Sequence, residues 1–217
     1  MNKQKLCAKD IPCALCLMLL IISFAVIVSL NFRQLYYWDI KGLDIPAMSG
    51  YSEEVIRENY DVLIDYNSMF NHSELKFPTL AMSEPGRIHF EEVKDIFVGI
   101  QRMFLVTLVL GVGIVLYKKK QKSYEYLKLA GIMTVVIPTI LGILIAINWE
   151  WCFVTFHHIA FDNDYWIFDP AFDPIIMILP DQFFMHCAIM ILAITITGAV
   201  ISYILGQMFC KKNRNSN

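Results

Sequence analysis

C-A-L-C-L-M-L-L-I-I-S-F-A-V-I-V-S-L, residues 13–30, carries no charge and approaches the roughly 20 apolar residues that a bilayer-crossing helix needs. Lys3, Lys5 and Lys9 stand ahead of it. A secretory signal has a shorter apolar core and a small-x-small cleavage site, whereas this run is long and closes on V-S-L-N-F (28–32), so it reads as an uncleaved first transmembrane helix. Three further runs of the same kind follow at about 96–117, 129–149 and 183–208, and Pro138 is expected to kink the third. The composition agrees: 57% of the 217 residues are hydrophobic, and the mean hydropathy is +0.51. The expected fold is an all-α membrane protein of four transmembrane helices, forming a single integral membrane domain over residues 1–217.

The net charge of −2 hides a strong partition. Eleven of the 18 Lys and Arg residues fall in three short pieces: Lys3, Lys5 and Lys9; Lys118, Lys119, Lys120, Lys122 and Lys128; and Lys211, Lys212 and Arg214. Of the 20 acidic residues only Asp10 and Glu125 share that side. The positive-inside rule therefore predicts both termini in the cytoplasm. It leaves an extracellular insertion at 31–95 and a short aromatic and acidic outer loop at 150–182. No basic face or nucleic-acid-binding motif occurs, so a nucleic-acid partner is not expected. The six cysteines are scattered and do not form a disulfide framework; Cys13 and Cys16 open an apolar span, where a buried, inert pair is the expected role. No repeat of the transporter kind is visible.

Within the insertion, Ser52 is placed to cap a helix whose first turn holds Glu53 and Glu54, with Ile56, Tyr60, Leu63 and Asn67 at helical spacing behind them. F-P-T-L-A-M-S-E-P-G (77–86) reads as a loop. A helix is then expected from near Gly86 straight into the second span, with His89, Val93, Ile96, Phe97 and Ile100 on one face. That puts His89 roughly 10 Å outside the hydrocarbon edge.

F-H-H-I-A-F-D-N-D-Y-W-I-F-D-P-A-F-D-P (156–174) is too acidic to span a bilayer and too aromatic for an ordinary solvated loop. Such a mixture suits chain lying at headgroup depth, and its two Asp-Pro pairs predict an ordered turn. His89 and His157 thus come from different segments, each on the approach to a span. Two imidazoles suit a reaction in which one group removes a proton and another delivers one near neutral pH; a structural polar role is the competing reading. His158, the immediate neighbour of His157, diverges from it, and a hydrogen bond to a neighbouring helix accounts for His186. Arg102 either snorkels or pairs with Glu150 or Asp181, or it grips substrate carbonyls. The outer aspartates with His157 leave open a metal-dependent lipid hydrolase or amidase, and a non-catalytic membrane adaptor is the alternative from another class. Neither H-E-x-x-H nor G-x-S-x-G is present.

The two motifs F-P-T-L-A-M-S-E-P-G-R-I-H-F-E-E-V-K-D-I-F (77–97) and F-H-H-I-A-F-D-N-D-Y-W-I-F-D-P-A-F-D-P-I-I-M-I-L-P-D-Q-F-F (156–184), with N-Y-D-V-L-I-D-Y (59–66) and the four-span order, resemble the bacterial lipoprotein intramolecular transacylases. Family members commonly have Asp-Val-Lys where this chain has Glu92-Val93-Lys94. The resemblance implies a diacylated bacterial lipoprotein as substrate, handled among membrane lipids. The sn-2 acyl chain would pass from glycerol to the α-amine of the N-terminal cysteine, giving a lyso-form lipoprotein. It further implies His89 and His157 as the catalytic pair, with no cofactor and no metal, at the outer face of the bacterial cytoplasmic membrane. On that footing Trp166 and its neighbouring Phe residues are expected to hold the glyceryl region, and Asp169 to orient His157.

Overall fold

A computed structural model describes residues 7–215; Lys3 and Lys5 lie outside the described residues. Among those residues the chain is helical and contains no strand. The helices are α1 (Asp10–Asn31), α2 (Arg33–Gly42), α3 (Ile45–Ser49), α4 (Glu53–Tyr66), α5 (Glu84–Lys120), α6 (Glu125–Ile147), α7 (Trp149–Ala160) and α8 (Asp181–Asn215), with a short 3-10 turn at Pro174–Met177 before α8. Four of them, α1, α5, α6 and α8, are long and apolar enough to cross a membrane.

The chain divides into two compact units. One comprises α1 as far as Val26, Gln101–Leu144 and the chain from Met190. Its packing relies on small residues, as expected where lipid removes the hydrophobic drive between helices. Ala14 and Ala130 are fully buried beside Leu17 and Tyr126. A Cβ on Gly131 would meet the Ala199 carbonyl and Tyr203, so α6 and α8 approach closely there. The two acidic residues of the lysine-rich side are both paired within this unit, Asp10 with Lys118 at 2.6 Å and Glu125 with Lys128. Helix α6 runs through Pro138 without interruption.

The other unit comprises Ile27–Ile100 and Ile145–Ile189. Ser52 caps α4 as its sequence predicts, its Oγ accepting from Val55 N. Ile56, Tyr60 and Leu63 are buried from α4, and Asn67 closes the same face. Tyr36 of α2 stacks on Tyr60 with centroids 3.8 Å apart, meets Phe183 edge-on, and donates its hydroxyl to the Ile178 carbonyl at 2.6 Å. The insertion therefore owns an apolar core rather than lying as a solvated loop.

Three boundaries depart from expectation. Helix α5 begins at Glu84, inside the stretch that reads as loop, because Ser83 caps it: Ser83 Oγ accepts from Gly86 N at 3.0 Å and the Ser83 carbonyl accepts from Arg87 N. Pro85 in the first turn has no N–H to leave unpaired. The apolar run expected to end at 149 stops as a helix at Ile147, and Asn148 caps a separate helix by accepting from Trp151 N. Residues 149–160 are thus helix α7, with His157 on its last turn, so only the first five residues of the 156–174 stretch depart from the expected turn, and the Asp169–Pro170 pair does form one.

Candidate active site

His89 and Phe90 sit on the second turn of α5, both buried. Gly86 lies one turn earlier and faces Asp173: a Cβ there would fall against its carboxylate. That carboxylate is itself buried, and both its oxygens are used. Oδ1 accepts from Ser83 N at 2.7 Å and Oδ2 from Ser83 Oγ at 2.6 Å. The clasp joins the start of α5 to the end of the segment that follows α7, and so links the two pieces of chain that supply the site.

The histidine rings lie 6.2 Å apart between centroids, inclined at 31°. Neither acts alone in a polar setting; they share an aromatic chamber. Phe161 meets His89 at 4.7 Å and His157 at 5.7 Å, Phe168 packs edge-on to His89 at 5.4 Å and stacks on Phe90, and Phe153 lies 4.3 Å from His157. Trp166 covers the other imidazole, 4.6 Å from His157 and inclined at 31°.

Hydrogen bonding distinguishes the rings. Nδ1 of His157 lies 2.7 Å from the Phe153 carbonyl, one helical turn back. A carbonyl only accepts, so Nδ1 carries the proton and, in the neutral ring, Nε2 is left as the acceptor. His89 Nδ1 is buried without a partner. Burial pushes the His89 imidazole down to about 4, and the charge of His157 adds to the effect. Burial also lowers His157; the Phe153 carbonyl opposes the shift and His158 adds to it. Burial thus biases both rings toward the neutral form.

The remaining sequence-predicted residues are placed as follows. His158 is exposed and meets the edge of Trp166 at 5.4 Å. His186 Nδ1 lies 2.9 Å from both carboxylate oxygens of Asp39 on α2, the partner on a neighbouring helix that its position called for. Arg102 is exposed on α5 and belongs to the other unit. Asp169 is exposed, and its Oδ1 accepts from Ala171 N at 2.9 Å while its carbonyl accepts from Phe172 N and Asp173 N. It shapes the turn at Pro170; the orientation of His157 comes from the Phe153 carbonyl instead. Asp173 is spent on Ser83, and no group of three His, Cys, Asp or Glu able to hold a metal ion occurs among the described residues. Sequence reasoning missed the Ser83–Asp173 clasp and the part of Phe153 in the aromatic cage. Ser83 followed by Pro85 is a helix-start pattern that marks one end of the clasp.

The family model for lipoprotein intramolecular transacylase Lit matches residues 11–184. The chain is similar to the in meso structure of the membrane-integral lipoprotein intramolecular transacylase from Bacillus cereus, with 40% identity and a TM-score of 0.91 over 95% of this chain and 98% of that one. Two structures of single-histidine variants of the same protein match as well. The arginine variant gives 39% identity and a TM-score of 0.86 over 96% and 93% of the two chains; the alanine variant gives 40% and 0.85 over 94% and 93%. A search of curated proteins found no match.

Proposed function

Because the chain belongs to the lipoprotein intramolecular transacylase family, and is thereby a membrane-integral acyltransferase acting on lipoproteins, we propose that it moves the sn-2 acyl chain of a diacylglyceryl lipoprotein onto the α-amine of the N-terminal cysteine. His89 and His157 exchange the protons. The observation that carries this reading is two imidazoles from separate helices facing one aromatic chamber, one of them with its tautomer fixed by a backbone carbonyl.

The substrate's α-amine has an ordinary pKa near 7.7–8.0 and is largely protonated at neutral pH, so a base must free its lone pair. Nε2 of His157 is the acceptor for that proton. The freed amine nitrogen bonds to the ester carbonyl carbon and sheds its second proton, the carbon–oxygen bond to sn-2 breaks, and the departing alkoxide takes a proton from His89. Of the two protons the nitrogen gives up, one restores His89 and the other passes from His157 to solvent, so ammonium and ester become amide, alcohol and one released proton. Nucleophile and electrophile are parts of one molecule, so the chamber's main work is to fold a flexible diacylglyceryl group into reacting geometry; such positioning contributes several kcal/mol, at about 7–11 in the best intramolecular cases. Trp166 and the Phe residues hold the glyceryl region. Lysine-rich pieces at both ends and in the turn before α6 support cytoplasmic termini and a site on the outer face of the bacterial cytoplasmic membrane.

The test is mass spectrometry of a lipoprotein N-terminus in a host without other N-acylating enzymes. Expression should transfer the acyl chain from glycerol to amine at constant total mass. His89→Ala and His157→Ala should each cost about 10²–10⁴-fold in rate. Release of free fatty acid, or unchanged activity in either variant, would overturn the assignment.

A further inference from the structure

Glu92 follows His89 by three residues on α5, which puts the two side chains on the same face about 4.5 Å apart along the axis. Its carboxylate is held from one side only. Asn163, two residues past the Phe161 ring that packs on both histidines, donates its Nδ2 to Glu92 Oε1 at 2.8 Å. The other oxygen, Oε2, is buried and accepts no hydrogen bond.

Among the described residues no Lys, Arg or His forms an ion pair with Glu92. The nearby cations are engaged elsewhere: Arg87 with Glu84 and Glu91, and Lys94 with the Asn71 carbonyl and the face of Tyr66. A buried carboxylate oxygen lacking both donor and countercharge bears its desolvation penalty with nothing to offset it. A turn-forming or capping role does not account for it, because Glu92 lies in the interior of α5. What the free oxygen fits is a ligand group that carries donors only and a positive charge.

We propose that Glu92 Oε2 seats the α-ammonium of the lipoprotein's N-terminal cysteine. This rests on the transacylase reading and adds to it the group that recognises the nucleophile. A primary ammonium supplies the missing donor and the missing charge together, and the contact is charge-assisted. One turn away along α5, the same nitrogen comes within reach of the histidine pair. The carboxylate favours the protonated amine, which opposes the proton removal that follows. Glu92 therefore strengthens binding and gives little or nothing to the chemical step. Removing its charge should raise KM and leave kcat equal or higher, a split that distinguishes recognition from general destabilisation.

The experiment compares two unreactive lipopeptides, both with an ether in place of the sn-2 ester, one with a free α-amine and one lacking the amino group, binding to the purified detergent-solubilised enzyme. Wild type should bind the amine at least tenfold more tightly than the des-amino compound. Glu92→Gln, which keeps shape and removes charge, should bind both alike, and with reactive substrate should show a KM raised about tenfold at undiminished kcat. Glu92→Asp should restore part of the preference. A wild-type enzyme that binds both compounds equally would overturn the proposal whatever the variants do, as would a Glu92→Gln enzyme that keeps the preference. Failure of the transacylase reading itself is seen separately, as wild type leaving the acyl chain on glycerol.

Discussion

The carboxylate of Asp173 holds Ser83 by both of its oxygens, one on the backbone N–H and one on the hydroxyl. Ser83 is at the same time the cap of α5, so the clasp sets where that helix begins and, two turns on, where His89 points. Asp173 closes the segment that carries Phe161, Trp166 and Phe168. Hydrogen bonds to a charged partner contribute about 1.5–3 kcal/mol each. Ser83→Ala and Asp173→Ala should each lower the melting temperature in detergent and weaken activity. The double variant should cost clearly less than the sum, since each single change already breaks the pair. Strictly additive losses would mean that the two residues act independently.

Asp169 stands four residues before Asp173 and does a different job. Its side chain accepts from Ala171 N and shapes the turn at Pro170, while the Phe153 carbonyl, not Asp169, fixes His157. Asn can make the same turn through its side-chain oxygen. Asp169→Asn should therefore leave the transfer rate within about twofold of wild type while Asp169→Ala loosens the turn. A large loss in the Asn variant, measured by the same lipoprotein mass shift, would return an electrostatic role to Asp169.

The spans were legible because apolar length and lysine placement are one-dimensional signals, and Ser52 was legible because a cap acts over three residues. Long apolar runs, however, do not show where one helix ends and the next begins: W-E-W-C-F-V-T-F continues the hydrophobic pattern, and only Asn148 as a cap separates α6 from α7. His89 and His157 were nameable as a pair, since each precedes or follows a span at similar depth. What sequence spacing cannot reveal is contact across 71 to 90 residues. Ser83 with Asp173, and Glu92 with Asn163, meet only because α7 and the turn after it fold back against the start of α5.

Both histidines are held below their ordinary range, His89 at about 4, chiefly by burial. Their pH signature has a definite sign. A histidine whose folded pKa is depressed destabilises the fold as pH falls through the unfolded value of about 6.5, because the unfolded chain then binds the proton more readily. The loss grows until pH approaches the folded value. Melting temperature should decline between about pH 6.5 and 4 in wild type, and the decline should be shallower in His89→Asn. Activity should persist below pH 6.5 on the histidine side, where a solvent-exposed base would already be failing. An acid limb centred at or above 6.5 would contradict the burial of the pair.

Trp166 offers the last discriminating measurement. Its ring lies over His157 at 4.6 Å, and its own Nε1 is buried without a partner. On the proposed mechanism His157 becomes a cation under an aromatic face as it takes the amine proton, and such a contact contributes about 0.5–2 kcal/mol. Trp166→Phe keeps a smaller face and loses the N–H, and it should slow the transfer by roughly 3- to 10-fold. Trp166→Ala removes the face and opens the chamber to water, and it should cost about 10²-fold, mostly in kcat, while raising the pH at which activity fails no further than a bare imidazole would. If the ring serves only to hold the glyceryl group, the Ala variant should instead raise KM and leave kcat intact. Steady-state kinetics on a synthetic diacylglyceryl peptide separates these outcomes, and it does so without relying on the histidine variants.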